Sequence, residues 1–255
     1  MTSSRIRLPE VTLCAVTSVN VEATVSALRH CLDQIEFAAC RLFTDKAPDD
    51  LHPEIQPVRI DGLRSAQDYS RFVLRQLPSL TASSHVLLVQ WDGFVLDAGQ
   101  WDSAFLDCDY IGAPWPQFRD GHDVGNGGFS LRSRRLLEAC TDPRFQPGHP
   151  EDVAVCRLNR TLLEQEHGIR FADRSLADRF AFERERPNGS TFGFHGIFNM
   201  IPALGPDRFW ERYRELDDKR TAFVDYGLLF RQLGAGKHAT ARRLQLTKDR
   251  IVASL

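Results

Sequence analysis

Four short segments carry side chains able to do chemistry. Gln90-Trp91-Asp92-Gly93 follows the most apolar run of the chain, Val86 to Val89. In an open α/β sheet, ligands bind in the crevice beyond the carboxyl ends of the strands, and an acid there can hold a metal ion or a sugar hydroxyl. Asp-Gly between apolar runs is also a hairpin-turn signal, and the sequence leaves both readings open. Val124-Gly125-Asn126-Gly127-Gly128-Phe129-Ser130 has three glycines in four positions, so the backbone there bends sharply or lets a ligand or another strand approach closely. It lacks the spacing of the phosphate-binding glycine fingerprints and the lysine of a P-loop. His149-Pro150-Glu151-Asp152-Val153 suits the start of a helix, with proline first and two acids in the first turn, where the helix dipole favours them. Either acid is also a candidate general base. In Phe192-Gly193-Phe194-His195-Gly196 a histidine stands in a glycine-flanked loop, as a packing residue or as a metal ligand.

These segments need a frame that brings them together. Val11 to Val16, Ala38 to Phe43, Ile55 to Ile60 and His85 to Gln90 read as strands. Between them, Val21 to Leu32 has helical spacing behind Asn20 as a candidate cap, and Ser65 to Leu77 reads as a helix closed by Pro78. Strands alternating with helices predict a largely parallel sheet covered on both faces. Further along, Phe129 to Leu131 reads as a strand, Arg134 to Cys140 as a short helix, and Glu151 to His167 as one longer helix. Asp207 to Leu216, Phe223 to Leu233 and Ala239 to Ala253 complete the pattern as helices, with Gly234-Ala235-Gly236 as a break. The expected division is a body over 1–205 and a helical segment over 206–255.

Composition narrows the functional classes. The chain has 255 residues, 42% of them hydrophobic and 26% charged, ordinary values for a globular protein. A net charge of −2 supplies no global basic field for nucleic acid. The charge is uneven: residues 221–255 carry six Lys/Arg against two acids, which suits either a solvated helix face or peripheral contact with an anionic membrane. No stretch approaches the ~18 apolar residues of a membrane span, and residues 1–10 lack the apolar core of a secretion signal. A cytoplasmic location is therefore expected, with the inner face of the membrane as a variant of it. Six cysteines without a C-x-x-C pair argue against zinc or redox chemistry. The glycosylation-acceptor patterns Asn159-Arg160-Thr161 and Asn188-Gly189-Ser190 are read as chance matches.

The order and spacing of the four segments resemble a glycosyltransferase of the GT-A type. The strand ending in Gln90-Trp91-Asp92-Gly93 resembles the one that delivers that family's metal-binding Asp-X-Asp motif, with one acid present instead of two. Gly127-Gly128-Phe129-Ser130 and Pro150-Glu151-Asp152-Val153 are similar to segments of the inverting galactosyltransferases and Fringe-like enzymes. With Tyr69-Ser70, Tyr110 to Pro116 and Phe192 to Gly196 added, the set is similar, over about residues 11–200, to a family catalogued as a domain of unknown function whose members are suspected glycosyltransferases.

The resemblance implies a GT-A-like (Rossmann-like), mostly parallel mixed sheet flanked by helices, with a C-terminal helical appendage. It implies transfer of a sugar, with inversion, from a nucleotide-sugar donor to the hydroxyl of a glycan or lipid-linked acceptor, a UDP-sugar being favoured and bacterial surface glycan or lipopolysaccharide synthesis the setting. Asp152 is then the base, with Glu151 as the second choice. A divalent cation, Mn or Mg, falls to Asp92 and His195 together with donor oxygens, and a site without metal is the alternative. Donor contacts fall to Thr17, Ser18, Arg64, Ser65, Tyr69, Gln90, Trp91, Asp92 and Gly93. Acceptor or sugar contacts fall to Trp115, Asn126, Gly127, Gly128 and Phe129. A degenerate nucleotide- or glycan-binding protein and a metal-dependent hydrolase are the other readings.

Overall fold

The computed structural model describes residues 5–187 and 189–254. The chain divides into two compact units, Met1–His195 and Gly196–Leu255.

The first unit is built on β1 (Ile6–Val16), α1 (Val21–Leu32), β2 (Ile35–Thr44), β3 (Ile55–Arg59), α2 (Ala66–Arg75), α3 (Leu77–Leu80) and β4 (His85–Val89). All five residues of β4 are buried, as expected of an apolar run at the centre of a sheet covered on both faces. The chain continues through β5 (Gly93–Val95), β6 (Tyr110–Ile111), β7 (Phe129–Ser133), α4 (Arg134–Ala139), α5 (Glu151–Val153), α6 (Arg160–His167), α7 (Arg174–Phe180), β8 (Ala181–Phe182) and β9 (Gly193–His195). The main sheet has the order β3-β2-β1-β4-β7-β6. β1 to β4 are parallel, whereas β7 runs antiparallel to β4 and β6 antiparallel to β7. This is the mostly parallel mixed α/β sheet that the strand–helix alternation predicts. A second, three-stranded sheet has the order β5-β9-β8.

Several local expectations are corrected. Asn20 adopts a left-handed backbone and its side chain does not cap α1. Ser65 is the true cap of α2, its side chain accepting from Asp68 N–H. Pro78 does not close that helix: it sits in the first turn of α3, where its missing N–H costs nothing. The single helix expected over Glu151 to His167 is broken by a π turn, Ala154–Leu158. Its cause is Asn159, whose backbone N–H reaches Ala154 O at 3.0 Å, while its side chain donates to Ala154 O and Gln146 O and accepts from Gln146 N. With 4% exposure, Asn159 is no glycosylation acceptor; the second match, at Asn188, lies outside the described residues.

The second unit comprises α8 (Ile197–Leu204), α9 (Pro206–Glu215), α10 (Tyr226–Gln232) and α11 (Ala239–Ala253), with a 3₁₀ segment, Arg220–Asp225, before α10. The bounds of α11 match the expected ones. Part of the basic tail is spoken for within this unit. Arg242 pairs with Asp207 at 2.5 Å, Arg243 donates to Phe230 O at 2.7 Å, and the Arg250 guanidinium lies 4.3 Å from the Tyr226 ring centroid. Among the described residues no helix is long and apolar enough to cross a membrane.

Candidate active site

The segment after β4 is the hairpin turn that its Asp-Gly signal predicts. Gln90 N donates to Gly93 O at 3.0 Å and Gly93 N to Gln90 O at 3.1 Å, which closes a two-residue hairpin turn and leaves Trp91 and Asp92 at its tip, both partly exposed. The turn stands at the carboxyl end of the central parallel strand, where a ligand crevice is expected.

From that turn the chain enters the small sheet. β5 pairs antiparallel with β9 and sets Gly93 opposite His195. β8 pairs parallel with β9 and sets Phe182 opposite Phe194, so the next residue, Glu183, arrives beside His195. His195 Nε2 lies 3.7 Å from Asp92 Oδ1 and 3.3 Å from Gln90 Oε1, while Nδ1 meets Glu183 Oε1 at 3.2 Å. Burial pulls the imidazole pKa down, but the carboxylates of Asp92 and Glu183 outweigh it and hold it above its ordinary value. Burial likewise pushes Glu183 up, and its bond to His195 holds it below the usual carboxylate range.

The glycine loop is shaped by the protein's own side chains. A Cβ on Gly125 would fall 2.2 Å from the Trp115 ring, one on Gly127 2.0 Å from Glu151 Oε1, and one on Gly128 2.0 Å from His195 Nε2. Asn126 takes a left-handed φ of 67°, and its Oδ1 accepts from Gly128 N–H at 3.1 Å. The close approach read from the sequence is thus an approach of Trp115, Glu151 and His195.

Glu151 and Asp152, adjacent at the start of α5, occupy different environments. Glu151 is 4% exposed, and its Oε1 accepts from Arg132 NH2 at 2.8 Å. Arg132 is itself buried, donates from Nε to Ser130 Oγ at 3.0 Å and lies 5.3 Å from the Tyr110 ring centroid. Asp152 is partly exposed; its Oδ2 accepts from Gly127 N–H at 2.9 Å and its Oδ1 from its neighbour Val153 N–H at 2.8 Å. Burial first, then the charge of Glu151, push the Asp152 carboxyl above its ordinary range against these two donors and Arg132. The dipeptide Gly127-Gly128 thereby joins the two clusters, one residue bonded to Asp152 and the next packed on His195.

A cleft of about 760 Å³ opens at the carboxyl ends of the outer parallel strands, lined by Ser18, Asp45, Asp61, Arg64, Asp68 and Arg71 among others. Of the expected donor contacts, Ser18 and Arg64 line it. Ser18 Oγ accepts from Leu63 N at 2.9 Å and Ser65 is spent on capping α2. Thr17 ties its own turn by accepting from Val19 N–H at 3.2 Å. Tyr69 turns away from the cleft: its buried hydroxyl feels Glu151, Arg132 and Gln90, and burial drives its pKa far up. Ser70, next to it on α2, bonds His149 Nδ1 at 2.9 Å.

Two expected sugar-stacking aromatics are core residues instead. Phe129 is 0% exposed, stacked on Phe180 at 5.1 Å and beside Phe192 at 5.9 Å. Trp115 is 6% exposed, covered by Gly125 and set edge-on to Phe118 at 5.6 Å. Neither ring has a face open to a ligand; Trp91 is the partly exposed aromatic of the set.

Among the described residues no three His, Cys, Asp or Glu side chains come together tightly enough to hold a metal ion. Asp92 and His195 do converge, and Glu183 backs the imidazole on its far side. This donor set fits a divalent ion that takes its remaining ligands from substrate phosphate and water, and does not fit one held by the protein alone.

Residues 53–195 match the family described as "Protein of unknown function (DUF5672)". The chain belongs to that family. The matched span contains the Gln90–Gly93 turn, the glycine loop, Glu151, Asp152, Glu183 and His195. No curated protein matches the chain. Among solved structures it is similar to the apo-form glycosyltransferase GlyE of Streptococcus pneumoniae TIGR4, at 13% identity and a TM-score of 0.45, over 88% of this chain and 63% of that one. It is also similar to a glycosyltransferase involved in glycosylation of the major capsid of PBCV-1, at 11% identity and a TM-score of 0.42, over 80% of this chain and 98% of that one. The chain thus spans under two thirds of the length of the pneumococcal enzyme.

Proposed function

We propose that this protein is a GT-A-like glycosyltransferase that moves a sugar, with inversion, from a nucleotide-sugar donor to an acceptor hydroxyl. The observation that carries the reading is the junction at Gly127-Gly128, which sets a partly exposed carboxyl, Asp152, close to the Asp92–His195 pair at the carboxyl edge of a parallel sheet. An inverting displacement needs those two things near one another: a base for the acceptor hydroxyl and a place for the leaving diphosphate.

In this reading the nucleoside occupies the cleft lined by Ser18 and Arg64, and the diphosphate extends toward Asp92 and His195. The acceptor oxygen attacks the anomeric carbon as its proton passes to Asp152; the bond from that carbon to the diphosphate oxygen breaks, and its electron pair leaves with the diphosphate. The raised pKa of Asp152 suits this task, since a base works best when its pKa approaches the working pH. Glu151 is already committed to Arg132 and is covered by Gly127. Asp92 and His195 would hold a divalent ion, Mn or Mg, which when bound offsets charge on the departing diphosphate. A UDP-sugar is the favoured donor, a glycan or lipid-linked hydroxyl the acceptor, and surface-glycan synthesis the setting.

The test is thermal stability with UDP-, GDP-, CMP- and dTDP-sugars, each with and without Mn²⁺. A donor at a hundred times its Kd stabilises the folded state by about 2.7 kcal/mol. One nucleotide class giving a shift that grows with Mn²⁺ is the expected result. A flat response to every donor would leave a protein that does not use nucleotide sugars.

A further inference from the structure

Glu183 lies in Glu183-Arg184-Glu185-Arg186, a run of alternating charge of the kind that usually forms a solvated face. The fold gives it another place. β9 is the middle strand of the small sheet and carries His195 at its end. One neighbour, β5, brings the Asp92 turn to the Nε2 side of the ring, and the other, β8, brings Glu183 to the Nδ1 side.

We propose that Glu183 is a positioning residue which, by accepting the His195 Nδ1 proton, fixes the imidazole so that Nε2 faces Asp92 as a ligand for a substrate-bound divalent cation. An ionised carboxylate only accepts, so its 3.2 Å contact puts the proton on Nδ1. That assigns the remaining ring nitrogen to the Asp92 side. Metal-ligating histidines commonly donate their other N–H to such a carboxylate, which sets the ring orientation and raises ligand basicity. One further feature holds the arrangement. Gly128 and Gly93 pack on the ring so closely that a Cβ on either would overlap it, at 2.0 Å from Nε2 and 2.7 Å from Cδ2. The Gln90 amide oxygen lies 3.3 Å from the same Nε2.

This inference rests on the glycosyltransferase reading, and the experiment separates the two. Electron paramagnetic resonance would follow Mn²⁺ binding to the full chain in the presence of UDP and, separately, of GDP, for the wild type, Asp92→Asn, Glu183→Gln and Glu183→Ala. Nucleotide affinity without Mn²⁺ is measured alongside. The expected result is Mn²⁺ binding by the wild type with at least one nucleotide, its loss in Asp92→Asn, and a 10–100-fold weakening in Glu183→Ala, with Glu183→Gln between because it keeps an acceptor without the charge. Nucleotide affinity without Mn²⁺ stays unchanged, which a role in folding alone would not produce. Should Glu183→Ala fail to fold, Glu183→Gln, which keeps the shape, carries the comparison. Wild-type Mn²⁺ affinity in both Glu183 variants would overturn the positioning role and leave the donor site standing. Absence of Mn²⁺ binding by the wild type with either nucleotide, or binding indifferent to Asp92→Asn, would overturn the cation site and the role of Glu183 with it.

Discussion

Neutralising Glu151 and neutralising Asp152 should give opposite phenotypes, although the two carboxyls are neighbours in sequence. Glu151→Gln removes the counter-charge of Arg132, whose side chain is 1% exposed. Breaking a buried ion pair by removing one partner costs about 3–5 kcal/mol, since the remaining charge stays desolvated. Gln retains an acceptor for Arg132 NH2, and the Ser130 contact and the Tyr110 ring face also remain, so the lower end, about 3 kcal/mol, is expected. In a unit of this size that lowers Tm by about 6–12 °C. Asp152→Asn keeps one acceptor for the Gly127 and Val153 N–H groups and places no unpaired charge, so its cost is about 1 kcal/mol or less. Yet it removes the proposed base, at a loss of about 10²–10⁴-fold in transfer. Calorimetric melting paired with single-turnover transfer, at a temperature where both variants are folded, reads the two effects separately. If Glu151→Gln were as stable as the wild type but inactive, or Asp152→Asn unstable but active, the assignment of structure to one and chemistry to the other would be wrong.

Four further outcomes are expected. Because burial and Glu151 raise the Asp152 pKa, the acid limb of kcat/KM should lie above the ordinary carboxylate range and move to lower pH in Glu151→Gln, where that charge is gone and Arg132 acts unopposed; a limb that stays put would refute the cause. A pKa raised on folding stabilises below the unfolded value and loses that contribution as pH rises through the folded value. Asp152→Asn should therefore gain stability relative to the wild type between acid and neutral pH, which denaturant titrations at several pH values would detect. Ala at Gly125 should cost about 1–3 kcal/mol by overpacking the Trp115 ring, whereas Ala at Gly128 should displace the His195 imidazole and weaken Mn²⁺–nucleotide binding at smaller cost. Gly227, in α10 with nothing within 4 Å of an added Cβ, should accept Ala with a gain of about 0.5–1 kcal/mol, checked by melting temperature.

What the sequence made legible follows from length and periodicity. The parallel strands of the main sheet stand out as apolar runs between turn signals, and α11 appears with its true bounds because fifteen residues sustain a helical period. The small sheet was invisible: its strands have two or three residues, too few to show alternation, and only tertiary pairing makes them strands. Glu183 was hidden for the same reason. Its partner on the neighbouring strand is fixed by a register that no local pattern encodes. The helix after Asp152 looks unbroken in sequence because Leu158 and Leu162 keep the apolar stripe in step, while the Asn159 side chain redirects the backbone across the gap to Gln146. Phe129 and Trp115, which the resemblance implies as sugar contacts, are core rings admitted by glycines distant from them in sequence: a Cβ on Gly193 would fall 2.3 Å from the Phe129 ring and one on Gly125 2.2 Å from the Trp115 ring.

At Gln90-Trp91-Asp92-Gly93 the turn and the proposed chemistry need not compete. A hairpin turn is the shortest way to reverse a chain, and its two backbone hydrogen bonds between Gln90 and Gly93 leave the tip residues little freedom. An acid at that tip is projected from the end of a fully buried strand, which positions it better than a longer loop would, since each added loop residue adds conformations that binding must freeze. The same turn requires Gly93 for a reason outside turn chemistry: a Cβ there would meet His195 Cδ2 at 2.7 Å and Gly128 O at 3.0 Å. Turn, imidazole and glycine loop are thus fitted against one another at a single residue. Gly93→Ala should therefore move Asp92 and His195 together, weakening Mn²⁺–nucleotide binding more than the same substitution at Gly99, whose added Cβ would meet only the side chain of Asp97, at 3.1 Å. Equal losses at the two positions would mean that the packing around Gly93 does not set the geometry of the site.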